Sequence, residues 1–274
     1  MIKLFKDALK ITNECIILAT PLIIFMWALS LYIGFSKLSV NSWIAALLSF
    51  ITVIAMTAAF CAGWFYMVKK AISLSKQTFV LETDKSKEIF NLIKILPAGI
   101  GKYFASSLGM VLLFALIIAV TGSLIFKLGM ALIGNIGLDP SQISAIMSSS
   151  AGMKNFLDSL TFEQLMKLNN WNLLFISFTS LLSFILMLWV PEIIYKTRNP
   201  FIAIFKSIKK VFQKCWKSLK LFISISLINF VLSFINTFSV VNPIIYFVMM
   251  LVYFYFLVYL VVLIFLYYDR EFVE

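Results

Sequence analysis

The stretch PIIYFVMMLVYFYFLVYLVVLIFLY, residues 243–267, holds no charged side chain over its whole length. A helix that crosses a membrane needs about 20 consecutive, mostly apolar residues. Backbone N–H and C=O groups in lipid must be satisfied within the segment, so such a run is a helix and not an open sheet. Residues 243–267 are therefore read as a transmembrane helix. Five further runs have the same character: 13–36, 42–68, 103–127, 171–195 and 218–238. The only acidic residues inside any of the six are Glu14 and Glu192, each near an end.

Composition agrees with this reading. Hydrophobic residues make up 62% of the 274-residue chain and charged residues 13%, against roughly 45–50% and 25% in soluble domains. The mean hydropathy is +1.01. A water-soluble fold lacks the interior volume to hide so much Leu, Ile and Phe. The expected fold class is all-α: a polytopic integral membrane protein, residues 1–274 forming a single membrane domain.

The net charge of +11 raises the question of nucleic-acid binding, and the positions of the charges argue against it. Lysine and arginine cluster beside the apolar runs. Three precede span one, seven lie between spans two and three (Lys69 to Lys102), eight between spans four and five (Lys196 to Lys220), and Arg270 follows span six. That places nineteen on one side, against Lys37, Lys127, Lys154 and Lys167 on the other. Positive loops stay in the cytoplasm, so both termini are expected there. Anionic lipid headgroups are the expected partner of these charges. Ala28-Leu29-Ser30 imitates a signal-peptidase site, but the apolar run continues to Phe35 and Asp7 and Glu14 precede it. An uncleaved signal anchor is the expectation.

The connections carry their own pattern. Asn199-Pro200 suits a helix start, with Asn as N-cap and Pro in the first position. Phe201, Ile204, Phe205, Ile208, Val211, Phe212 and Cys215 then recur at helical spacing, with Lys206, Lys209, Lys210, Gln213, Lys214 and Lys217 around the rest of the surface. Segment 199–217 thus reads as an interfacial amphipathic helix on the cytoplasmic leaflet. Lys206, Lys209, Lys210, Lys214 and Lys217 are the candidate headgroup contacts. Residues 86–96 form a weaker version, with Pro97 as its stop. In the external loop, 128–170, Asp139-Pro140 and Thr161-x-x-Gln164 offer helix starts for short surface helices near 140–149 and 154–168, with a break at Ser148–Gly152. Asn41-Ser42-Trp43 and Asn169-Asn170-Trp171 open spans two and four, and basic segments containing Ile89-Phe90 and Ile204-Phe205 follow. The similarity fits a parallel duplication, or chance.

Signals for chemistry are sparse. Histidine is absent, which removes the usual neutral-pH base and commonest transition-metal ligand. Cys15, Cys61 and Cys215 lie far apart and match neither a metal nor a disulfide spacing. There is no H-E-x-x-H, G-x-S-x-G or phosphate-binding glycine loop. No metal, cofactor or enzymatic activity is expected. Two features allow a functional reading and a structural one. Glu192, after Pro191, is an ionisable residue at membrane depth, or an interfacial carboxylate paired with Lys196 or with the amphipathic helix. Ser226, Asn229, Ser233 and Asn236 share one face of span five, as the wall of a polar path or as interhelical hydrogen bonding. Ala55, Ala59 and Gly63 make a small-residue stripe suited to close helix packing.

The order Pro191-Glu192, then Asn199-Pro200-Phe201, Ala203, Ser207, and Trp216 before span five resembles the membrane domain of some bacterial glycerophosphodiester phosphodiesterases. It is also similar to stand-alone bacterial six-helix membrane proteins. The resemblance covers about residues 189–268. It implies an all-α fold in the bacterial cell (inner) membrane. It does not imply phosphodiesterase activity, because no soluble stretch of this sequence is long enough for that catalytic domain.

Two functional readings follow. In one the chain is a non-enzymatic, lipid-interacting or accessory membrane component. In the other it is a transporter whose path is lined by Glu192, Ser226, Asn229, Ser233 and Asn236. The expected partners are membrane lipids, anionic on the cytoplasmic leaflet, with a further membrane protein or a second copy of the chain left open.

Overall fold

A computed structural model describes residues 1–39, 42–77, 82–137, 160–239 and 243–273. Among these residues there are helices and no strands. In chain order they are α1 (Ile2–Glu14), α2 (Ala19–Ser39), α3 (Trp43–Ser75), α4 (Glu82–Leu132), α5 (Phe162–Leu186), α6 (Trp189–Tyr195), α7 (Pro200–Gln213), α8 (Cys215–Ser239) and α9 (Pro243–Phe272). Six stretches are long and apolar enough to cross a membrane: Ile16–Ser36, Trp43–Ser75, Lys85–Leu132, Phe162–Tyr195, Cys215–Phe234 and Ile245–Phe272. The protein is an all-α, multi-pass membrane protein with further helices that are not spans. The expected surface helix near 140–149, the break at Ser148–Gly152 and the first part of the one near 154–168 lie outside the described residues.

The chain divides into two compact units, Met1–Leu113 with Ile185–Glu274, and Phe114–Phe184. In the smaller one, Gly129 lies against Trp171: a Cβ built on Gly129 would sit 2.2 Å from the indole ring. The indole N–H donates to the Gly134 carbonyl at 3.2 Å. Thr161 and Gln164 form a reciprocal cap, each accepting the other's backbone N–H, at 3.0 and 3.3 Å. This is the arrangement the Thr-x-x-Gln spacing favours.

In the larger unit the first expectation to change is the N-terminus. Helix α1 is separate from span one. Leu4, Ala8 and Ile11 are buried at spacings of four and three, while Lys3, Lys6 and Lys10 are exposed. It packs along α9, and Arg270 meets Asp7 at 2.6 Å. The chain breaks at Cys15, turns through a short 3-10 segment, Ile16–Leu18, and re-enters α2. The Trp64 indole donates to the Leu18 carbonyl at 2.8 Å and ties α3 to that break.

The two helix-breaking prolines behave differently. Pro97 does not stop segment 86–96: α4 runs straight through it. Proline removes the hydrogen bond to the carbonyl four residues back, here that of Ile93. Pro97 and Ile93 both lie on the exposed face of α4, where interfacial water can take that carbonyl. Span four, by contrast, is interrupted. Helix α5 ends at Leu186 and α6 restarts at Trp189, which puts Pro191 in a first turn, where its missing N–H has no intrahelical partner to lose.

Small residues set the closest helix approach. A Cβ on Gly99 would sit 2.9 Å from the Gly63 Cα, and one on Gly63 would sit 2.8 Å from a Leu96 side-chain carbon. With Gly63, the fully buried small residues of α3 are Ala58, Ala62 and Ala71 rather than Ala55 and Ala59. Aromatic rings continue the core: Phe25 stacks on Phe60 at 4.1 Å, Phe60 on Trp64 at 5.5 Å, and Phe65 on Phe265 at 5.8 Å. Burial concentrates where α3, α6, α7 and α9 carry their lysines and tyrosines. Trp43, Phe50 and Phe230, away from that end of their helices, are exposed.

Candidate functional site

At this basic end, α6 is seven residues long and leaves its last carbonyls without helical partners. The Ile194 carbonyl is taken by two side chains from other helices, the Lys69 ammonium at 3.0 Å and the Tyr103 hydroxyl at 3.1 Å. A cation at a helix C-terminus also complements the helix dipole. The Lys69 ammonium lies over the Tyr195 ring, 4.6 Å from its centroid.

On the other side of α6 is Glu192, whose side chain is 1% exposed. Its Oε2 accepts from the Lys210 ammonium at 2.6 Å and from the Tyr268 hydroxyl. Lys210 also donates to the Tyr268 oxygen. Its ammonium lies 4.6 Å from the centre of the Tyr268 ring. A buried carboxylate needs such donors, because removing one from water without them is prohibitive. Both donors meet the same oxygen, Oε2. Glu192 is a lock between α6, α7 and α9, and its partner is the amphipathic helix rather than Lys196.

Further pairs surround the lock. Asp269 pairs with Lys76. Glu271 takes Lys214 at 2.6 Å and Lys217 at 2.9 Å. Glu14 takes Lys85 at 2.9 Å, closer than Lys10 at 4.0 Å. Among the described residues no group of His, Cys, Asp and Glu could hold a metal ion.

The structure divides the five candidate headgroup lysines. Helix α7 starts as its sequence indicates, with the Asn199 side chain accepting from the N–H groups of Phe201 and Ile202 at 3.0 and 3.3 Å. It buries Ala203, Ser207 and Val211. Lys210 falls beside that buried strip and is withdrawn to Glu192, while Lys214 and Lys217 are turned to Glu271. These three are therefore committed to carboxylates of the protein itself. Lys206 and Lys209 remain exposed, as do Phe201, Ile202, Phe205 and Phe212. The expected apolar face is present, but the bundle packs against a flank of the helix, between its apolar and basic faces.

The described residues of the candidate polar path are not brought together. Ser226, Asn229 and Ser233 lie on the exposed surface of α8, whereas Glu192 is enclosed by Lys210 and Tyr268. The side chain of Asn236 lies outside the described residues. A cavity of about 530 Å³ opens elsewhere, lined chiefly by apolar residues of the 3-10 turn, α2, α4 and α9, among them Ile17, Ile23, Ile89 and Phe254.

No protein-family model matches this chain, and no curated protein or solved structure matches it either. The geometry of the basic end therefore carries the functional reading. Sequence reasoning missed Lys69, Tyr103, Tyr268 and Glu271. The available signal was the adjacency of Lys69-Lys70 and Tyr268-Asp269-Arg270-Glu271 to span ends, which marks a membrane level without naming a partner.

Proposed function

We propose that this protein is a non-enzymatic component of a bacterial cell membrane that interacts with lipid through its basic end, which faces the cytoplasm. The observation that carries this reading is the outer surface of α7. Phe201, Phe205 and Phe212 are 59%, 74% and 56% exposed, with exposed Lys206 and Lys209 next to them. A helix held to the bundle by Glu192 and Glu271 cannot turn those rings inward. In lipid the rings enter the acyl boundary and the two lysines meet headgroups, each worth about 1 kcal/mol against an anionic leaflet. The resemblance to bacterial phosphodiesterase membrane domains is consistent with the same membrane, and the reading carries over no catalytic activity from it.

The test is crosslinking of the reconstituted protein with photoactivatable phospholipids, mapped by mass spectrometry. Residues 201–212 should crosslink, and phosphatidylglycerol should be preferred over phosphatidylcholine. The pair Lys206→Gln and Lys209→Gln should reduce that preference by more than tenfold, from about fivefold for each lysine. An unchanged preference would remove this reading.

A further inference from the structure

A second group of cations sits beside the lock, and no carboxylate is spent on it. Tyr66 and Tyr103 face each other across α3 and α4 with ring centroids 5.6 Å apart. The Lys102 ammonium lies 5.4 and 5.5 Å from those two centroids. The Arg198 guanidinium lies 5.8 Å from the Tyr103 ring, and the Lys70 ammonium 5.9 Å from the Tyr66 ring. Lys69, on the Ile194 carbonyl, is repelled by Lys102, Lys70 and Lys196, with Asp269 as the opposing charge. Asp269 is itself paired with Lys76, as Glu192 is with Lys210 and Glu271 with Lys214 and Lys217. Among the described residues, none of Lys69, Lys70, Lys102 and Arg198 forms an ion pair with a carboxylate.

The fold thus gathers four cations from three separate stretches of chain around two tyrosines. The ring faces offset part of the repulsion, but they occupy no N–H donor. Lys102 and Arg198 are exposed, so their donors are open to a ligand. All four cations lie at span ends: Lys69-Lys70 after the apolar body of α3, Lys102 where the apolar body of α4 begins, Arg198 just before α7. That is the level at which lipid phosphates sit. A guanidinium is the side chain best matched to paired phosphate oxygens, and lysines add point charge.

We propose that Lys69, Lys70, Lys102 and Arg198, framed by Tyr66 and Tyr103, form a binding site for a phosphate group. The source is either the phosphodiester of an anionic lipid or a free phosphate ion. The lipid source rests on the lipid-facing reading above; the site itself does not.

The full-length protein, purified in detergent and stripped of lipid, is titrated with phosphatidylglycerol by native mass spectrometry and, separately, with inorganic phosphate by calorimetry. Lys102→Gln with Arg198→Gln should weaken binding about 25-fold, fivefold for each exposed cation removed. Lys102→Arg, which keeps the charge, should retain it and shows that the fold survives substitution there. A loss confined to phosphatidylglycerol supports the site with a lipid source. A loss for inorganic phosphate supports it with a free-ion source. Equal binding by wild type and double variant, or no binding of either probe to the wild type, overturns it. Lys206→Gln with Lys209→Gln should leave the inorganic phosphate titration unchanged, and in that background Lys102→Gln with Arg198→Gln should still weaken phosphatidylglycerol binding. Failure of the α7 crosslinking test is therefore distinguishable from failure of this one.

Discussion

Glu192 and Lys210 form an ion pair of 2.6 Å between side chains that are 1% and 19% exposed, joining a short helix after a break to the amphipathic helix eighteen residues on. The pair ties together three elements, because Tyr268 of α9 donates to the same carboxylate oxygen. Glu192→Gln or Lys210→Met alone leaves one charge buried without its partner, and should cost about 3–5 kcal/mol. The double variant removes both charges and should recover part of that loss. Thermal unfolding of the purified protein measures all three, and additive losses in the double variant would contradict the coupling.

Gly63 and Gly99 are in contact, whereas Gly101 faces open space. Gly99→Ala places a methyl 2.9 Å from the Gly63 Cα, and overpacking of that kind costs about 1–3 kcal/mol. Gly101→Ala meets nothing within 4 Å. It should be neutral or stabilising by up to about 1 kcal/mol, from the better helix propensity of alanine. Unfolding midpoints of the two variants should move in opposite directions, or only that of Gly99→Ala should move.

The cysteines should separate by burial. Cys15 is buried and Cys215 exposed. Burial, with Glu14 adding to it, pushes the Cys15 thiol up to about 11. A raised thiol pKa means less thiolate, and only the thiolate reacts. At pH 7 about one molecule in ten thousand carries it at Cys15. Maleimide should label Cys215 at neutral pH, and labelling of Cys15 should rise about tenfold per pH unit until pH approaches 11. Rapid labelling of Cys15 at pH 7 would show that the turn between α1 and α2 is open.

Two tryptophans act through their N–H groups. Trp64 donates to Leu18 at 2.8 Å and Trp189 to Pro200 at 3.0 Å. Trp64→Phe and Trp189→Phe keep an aromatic ring and remove one hydrogen bond each, at about 0.5–1.5 kcal/mol. Trp216, which is exposed, should tolerate the same change with no effect on the unfolding midpoint.

Much of this architecture was legible in advance, and the parts that were not share a cause. The six spans, the Asn199 cap and the Thr161–Gln164 cap are encoded within one helix turn or one apolar run. The stop expected at Pro97 and the uninterrupted run expected over 171–195 both fail, because a proline's effect depends on what can take the freed carbonyl. At Ile93 an exposed face can take it, while before Trp189 the chain breaks instead. Helix α1 was missed because its three buried residues, Leu4, Ala8 and Ile11, face a helix some 250 residues later in the chain.

The sequence by itself determined that this chain lives in lipid, in helices, with one strongly basic set of connections. Hydrophobic transfer and local backbone hydrogen bonding need no knowledge of neighbours. Only the tertiary structure decided what each charge does. Lys209 and Lys210 are consecutive and equally basic, yet one is exposed and the other is bound to Glu192. A rotation of about 100° per residue separates them on the helix surface. Periodicity locates a face, but the carboxylate it meets comes from another helix, and no spacing along the chain encodes that meeting.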